Sequence, residues 1–128
     1  MADKTLLPAL FVGVNEPKDP ASPTDLEKKH IPVIEAPEAV KLGECFKVEI
    51  EVGKLLAHPN EPGHSIQFLE LYADDAYLAR ADFTAVTTCP KATLCVALAH
   101  PAEELQVYER CNLHGTWVRR KPIRVESD

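Results

Sequence analysis

Histidine and cysteine are the residues of this sequence best suited to chemistry, and most of them stand in turn-like segments. The chain has five histidines and four cysteines. His58 and His64 close a loop rich in proline and glycine, which excludes a strand and lets both rings face one point. Cys111 and His114 lie in a Cys-Asn-Leu-His-Gly segment, where a thiolate and an imidazole can bind one metal ion. Taken singly, each motif also suits an exposed turn.

The segments around these motifs have the pattern of β-strands. Residues 46–52 alternate apolar and charged side chains, which is typical of a half-buried strand. Further strands are predicted over residues 31–35, 65–72, 77–87, 94–99, 105–109 and 116–125, with turn residues between them. Pro122 predicts an edge position for the last of these. The sequence therefore predicts an all-β fold, an antiparallel β-sandwich of about seven strands.

Length and charge limit the classes of function. The 128 residues suffice for one domain with one hydrophobic core. The net charge of -6 argues against nucleic acid as the main partner.

Residues 1–25 are predicted to form an N-terminal arm and loop, and residues 26–128 the domain. The apolar segment 6–14 is expected to dock on the domain or on a neighbouring subunit. No cleavage site follows it, so we expect a cytoplasmic protein without a signal peptide.

The remaining three cysteines show no Cys-x-x-Cys pair, which argues against zinc ribbons and rubredoxin-type centres. Cys45 opens a well-defined strand and is predicted to lie in the core. Cys89 and Cys95 are interpreted as a loop thiol and a buried core thiol. A disulfide between them across a hairpin is the alternative.

Three motifs in the same order resemble those of the superoxide reductases, also called neelaredoxins. They are Lys-His-Ile-Pro from Lys29, the loop from His58 to His64, and Cys-Asn-Leu-His-Gly from Cys111. The similarity covers about residues 26–125. It implies an immunoglobulin-like β-sandwich with an extended N-terminal arm and one mononuclear iron. The implied ligands are four equatorial histidines and one axial cysteine: His30, His58, His64, His114 and Cys111.

The resemblance also implies the reaction and the partners. Superoxide would be reduced by one electron to hydrogen peroxide, with the electron coming from rubredoxin or a similar external donor. Lys29 matches the family lysine that attracts superoxide, whereas His100 matches no motif and is interpreted as a turn residue. Longer relatives carry a second iron in four cysteines. The first 25 residues contain no cysteine, so we expect a one-iron enzyme, and family members of this type are often homotetramers.

One position departs from the family pattern. In the family a glutamate directly precedes the lysine and binds the oxidised iron at its open position. Here Lys28 holds that place and Glu27 lies one residue further back. Glu27 reaches the iron if the chain bulges there. Otherwise the ferric iron carries water or hydroxide.

Other classes of protein fit the sequence less well. A blue-copper site needs two histidines, one cysteine and usually an axial methionine, but the only methionine is Met1. In an immunoglobulin-like binding module the histidines would have no functional role, and no metal would bind. Superoxide dismutation by the same iron is a third reading. Dismutation yields half as much peroxide as superoxide consumed, whereas reduction yields an equal amount.

Overall fold

The structure is a computed structural model that describes residues 11–127. Within this range the chain forms ten strands and the short helix α1. Their bounds are β1 (Val14–Asn15), α1 (Asp25–His30), β2 (Pro32–Glu35), β3 (Ala39–Lys41), β4 (Phe46–Val52), β5 (Ile66–Ala73), β6 (Ala76–Asp82), β7 (Lys91–Val96), β8 (Glu104–Cys111), β9 (Gly115–Pro122) and β10 (Arg124–Glu126). Among the described residues, no helix is long and apolar enough to cross a membrane.

The strands form two main sheets with the core between them. One sheet has the order β1-β9-β8-β5-β6 and the other the order β2-β4-β7, while β3 pairs with β10. Buried apolar side chains of both main sheets belong to one cluster, and they include Ile34, Val48, Ile50, Leu69, Leu71, Leu105 and Val107. The all-β prediction is confirmed, with more strands than expected. The immunoglobulin-like topology stays a prediction.

Strand β4 shows why alternation predicts this fold. Val48, Ile50 and Val52 are buried, whereas the charged residues between them are not. The strand pairs antiparallel with β2 on one side and with β7 on the other. Because successive side chains point to opposite faces, one face of β4 lies on the core and the other remains outside.

The predicted strand over residues 116–125 is two strands. Pro122 ends β9, and the chain then pairs in parallel with β3 through β10. Proline has no N–H to donate, so it interrupts a ladder of hydrogen bonds. Strand β1 also pairs in parallel, with Thr116 and Trp117 of β9. The pairings within β2-β4-β7 and among β9, β8, β5 and β6 are antiparallel as predicted, and these two short pairings are parallel.

The described part of the N-terminal arm lies on the domain. The Asn15 side-chain amide donates to the Thr116 carbonyl at 2.9 Å. The Glu16 carboxylate pairs with the Arg120 guanidinium at 3.1 Å. Residues 6–10 of the predicted apolar arm lie outside the described residues, and the boundary between residues 25 and 26 stays a prediction.

The cysteine predictions are partly wrong. Cys45 and Cys95 are both exposed, although the sequence predicts both in the core. Cys95 lies opposite Lys47 on the outer face of the sheet, whereas its neighbour Val96 is buried. Cys89 is an exposed thiol, as the loop interpretation expects. All four cysteines are free, so the alternative of a disulfide between Cys89 and Cys95 is not seen.

Candidate metal centre

Four histidines and one cysteine meet at one end of the sandwich. His30 ends α1, two residues before β2 begins, and the loop between β4 and β5 carries two more histidines. Cys111 ends β8, and the following turn carries the fourth histidine. One potential ligand atom of each lies within 4.8 Å of all the others: His30, His58, His64, Cys111 and His114. The structure therefore brings together the five residues that the resemblance implies as ligands.

The four imidazole rings contact one another in a cycle, each ring beside two others. Ring centroids are 4.8 Å apart for His30–His58 and for His58–His64. They are 5.1 Å apart for His64–His114 and 4.9 Å apart for His114–His30, which completes the cycle of contacts. The Cys111 sulfur lies 3.7 Å from Nδ1 of His114. Each ring thus touches two others around a common centre, with the sulfur beside it.

Three nitrogens at this centre lack a partner. Nε2 of His30, His58 and His64 is buried and finds no hydrogen bond among the described residues. Nδ1 of His30 lies 2.7 Å from the Leu26 carbonyl. Nδ1 of His58 lies 2.7 Å from the Pro59 carbonyl. A carbonyl only accepts, so the Nδ1 atoms of His30 and His58 carry the hydrogen, and the Nε2 atoms of these two rings offer lone pairs. Buried polar atoms without partners are unfavourable, and a cation that binds imidazole and thiolate, such as iron, would satisfy them.

Burial favours the neutral form of three of these histidines, as metal binding requires. Burial lowers the pKa of His30 to about 4, and repulsion from the neighbouring imidazoles contributes to that lowering. Burial likewise lowers the pKa of His58 to about 4. Burial lowers the pKa of His114, with smaller contributions from His64 and from the charge of Lys29. At neutral pH these three rings therefore keep their lone pairs for a metal ion.

Backbone groups surround the Cys111 sulfur. Burial raises the pKa of the thiol, while the backbone N–H groups of Leu113 and His114 donate to the sulfur and lower it. A bound cation deprotonates a coordinating thiol. The two N–H groups would then stabilise the thiolate and tune the metal. They arise from the turn after β8, and no residue type in the sequence signals them.

Glu27 is not part of the cluster. Its Oε1 accepts from the Thr24 N–H at 2.8 Å, and its Oε2 accepts from the Lys18 N–H at 3.1 Å. With Thr24 it forms the capping box that begins α1. These backbone hydrogen bonds lower the pKa of Glu27. One residue along a helix is a rotation of about 100°, so the displaced glutamate turns away from the position next to Lys29.

Two side chains that the sequence reasoning missed hold the ligand segments together. Asn112 accepts from the Ser65 N–H and donates to the Gly63 carbonyl, each at 2.9 Å. It thus joins the turn after Cys111 to the residues on either side of His64. Trp117 stacks on His30 with centroids 4.9 Å apart, and its Nε1 donates to the His114 carbonyl at 3.0 Å. Asn112 stands within the Cys-Asn-Leu-His-Gly motif, which is the signal that could have identified it.

Glu109 is a buried carboxyl group close to the cluster. It is 0% exposed, and neither of its oxygens has a hydrogen-bond partner in the described chain. Burial raises its pKa well above 4.5, and its charge would raise the pKa of the Cys111 thiol. The other side chains on the same face of β8 are apolar: Leu105, Val107 and Cys111. A single acidic residue within this alternation could have indicated from the sequence that Glu109 is unusual.

The histidine loop approaches the end of β4 closely at Gly53. Gly53 has φ +90°, and a Cβ built there would lie 2.9 Å from the His58 backbone nitrogen. Only glycine allows both the conformation and the approach. His100 lies away from the cluster, exposed in the bend between β7 and β8, with its Nδ1 2.9 Å from the Pro101 carbonyl.

Comparisons with known proteins agree with this site. The family model described as desulfoferrodoxin matches residues 22–120. A putative superoxide reductase of Methanocaldococcus jannaschii is 41% identical over 119 residues, which are 91% of this chain and 97% of that protein. The superoxide reductase of Pyrococcus abyssi is 36% identical over 70% of this chain and 83% of its own. A solved superoxide reductase (neelaredoxin) from Ignicoccus hospitalis has a TM-score of 0.68 and 39% identity, over 76% of this chain and 81% of that chain. The chain belongs to the desulfoferrodoxin family.

Proposed function

We propose that this chain binds one iron ion through His30, His58, His64, His114 and Cys111. The observation that carries the proposal is the set of three buried Nε2 atoms without partners, which face a thiol in a family that binds iron. The four imidazoles and the thiolate would hold the ion. Glu27 is held by the backbone in this structure, so we do not include it among the ligands.

We further propose that the chain is a superoxide reductase, as its named relatives are. When bound, iron would supply one electron, which together with two protons converts superoxide to hydrogen peroxide. Four neutral imidazoles and one thiolate would leave a ferrous site with a net positive charge, which attracts an anion. The chain as a whole is acidic, at -6. Distant charges are largely screened beyond about 8 Å in physiological salt, so the positive charge at the site determines whether superoxide is attracted.

Lys29 is the protein group that we propose to attract the substrate. Burial is the main cause of the lowered pKa values of His58 and His114, and the charge of Lys29 contributes less to both, so Lys29 is within electrostatic reach of these two rings. We expect Lys29→Gln to lower the rate constant for superoxide by about tenfold at low salt, because a local cation raises the concentration of an anion at the site. The measurement is the decay of a superoxide pulse on the reduced, iron-loaded protein.

Lys28 provides the matched control for that experiment. It is the adjacent lysine on α1 and carries the same charge. Lys28→Gln should change the rate much less than Lys29→Gln, and added salt should reduce the difference. Equal rates for the two variants would contradict the role of Lys29. Absence of any reaction in the iron-loaded wild-type chain would contradict the proposed function itself.

The electron donor is proposed to dock on the exposed rim of the site. Leu113, between the last two ligands, is 45% exposed, and Leu55 and Leu56 before His58 are 48% and 37% exposed. Apolar side chains next to the redox centre suit a transient complex with a small redox protein such as rubredoxin. A homotetramer and a cytoplasmic location stay predictions.

A further inference from the structure

A strained turn packs against the histidine loop. Val86 has φ +71°, a left-handed conformation that β-branched residues rarely adopt. The Thr87 N–H donates to the Ala85 carbonyl at 2.8 Å across it, which makes a three-residue γ-turn of the rare, strained kind. The Thr88 N–H also donates to the Thr84 carbonyl at 3.0 Å. Such strain persists only where surrounding contacts hold it.

One contact of this turn comes from the loop between the two histidines. Oδ1 of Asn60 accepts from the Val86 N–H at 2.7 Å. Nδ2 of Asn60 donates to the Thr88 carbonyl at 3.1 Å. One side-chain amide therefore satisfies a donor and an acceptor of the turn, and it joins residues 58–64 to residues 84–88.

The turn is itself fixed to the sandwich on both sides. The Phe83 N–H donates to the Gln67 carbonyl at 2.9 Å, and Phe83 packs on the buried cluster that includes Cys111. After the turn, the Pro90 carbonyl accepts from the Val52 N–H at 2.9 Å, at the end of β4. Asn60 thus connects the middle of the histidine loop to two points of the sheets.

We propose that Asn60 is a positioning residue for His58 and His64. Within the loop, residues 61 and 64 pair with each other, and that pairing fixes the loop's shape. Asn60 fixes its location, because its amide ties the loop to a turn that the sheets hold in place. The contacts on either side of the turn hold the strained conformation of Val86, and that conformation presents the Val86 N–H and the Thr88 C=O to the amide. This inference rests on the proposed iron site.

The test is the affinity of the iron-free protein for Fe²⁺, titrated without oxygen. Trp117 is the only tryptophan and stacks on His30, so its fluorescence reports binding at the cluster. Asn60→Ala should raise the dissociation constant for Fe²⁺ by about tenfold, in the range found for residues that orient metal ligands. Asn60→Asp keeps an acceptor for the Val86 N–H and should give a smaller rise.

Controls separate positioning from general stability. Gln67→Ala removes an exposed amide nearby and should leave the dissociation constant unchanged. Asn60→Ser suits a turn and should repeat the loss if the alanine variant does not fold. A dissociation constant within twofold of wild type, with only a lower melting temperature for the Asn60 variants, would overturn the proposal. Failure of the wild-type chain to bind Fe²⁺ would instead contradict the proposed iron site, and this inference with it.

Discussion

Cys111→Ser is expected to abolish the visible absorption of the oxidised, iron-loaded protein. A thiolate bound to ferric iron gives a charge-transfer band in the visible region, and a serine hydroxyl does not. Cys111 is fully buried and shares the cluster with the four histidines, so it is the one thiol placed to supply the band. We also expect the affinity for iron to fall by more than about 100-fold, because even partners of ligands contribute about 10–100-fold.

The other cysteines provide the control. Cys95 is exposed on the outer face of the β2-β4-β7 sheet, so Cys95→Ser should leave the absorption spectrum unchanged. The measurement is the absorption spectrum of each protein after iron loading and oxidation, with iron content determined on the same samples. A band that survives in Cys111→Ser, or that disappears in Cys95→Ser, would show that Cys111 is not the ligand.

Glu109→Leu is expected to stabilise the iron-free protein. The carboxyl group is buried and its oxygens have no partners in the described structure. A buried polar group without a hydrogen bond costs about 1–3 kcal/mol in proteins, and leucine fills a similar volume without that cost. We therefore expect the free energy of unfolding at pH 7 to rise by about that amount. The surface variant Glu49→Leu, on the exposed face of β4, should change it little.

The gain should also depend on pH, with a defined sign. Burial raises the pKa of folded Glu109 well above 4.5, so the folded chain holds a proton that the unfolded chain releases. The stability associated with that proton is complete below pH 4.5 and is lost as the pH rises towards the folded pKa. The leucine variant has no such loss. Urea unfolding at about pH 5 and about pH 7 should therefore give a larger difference from wild type at the higher pH, and an equal difference would contradict the buried, protonated state.

Local patterns predict the long strands and miss the short ones. β4 has the bounds that its alternation predicts, because seven residues suffice to define a face. β1 and β3 have two and three residues, and only their pairing with β9 and β10 makes them strands. Hydrophobicity alone predicts a core position for Cys95. In β7, however, Cys95 lies on the same outer face of the sheet as Lys91 and Thr93.

The candidate site could be predicted as a set of residues but not as a set of contacts. His30, His58, His64, Cys111 and His114 stand in recognisable motifs, and the structure brings them together. The direction in which Glu27 points depends on where the six-residue helix α1 begins. The capping box fixes that start, and the sequence motif alone does not indicate it. The bridge from Asn60 to Val86 joins segments 26 residues apart in the sequence, so it appears only in the folded chain.

The most direct test of superoxide reduction by this chain is the yield of hydrogen peroxide. The iron-loaded chain is supplied with a reductant and a steady source of superoxide, and both the superoxide consumed and the peroxide formed are measured. Superoxide reduction predicts equal molar amounts, because each superoxide takes one electron from the protein and two protons. Half as much peroxide as superoxide would mean dismutation, and would contradict superoxide reduction as the function of this site.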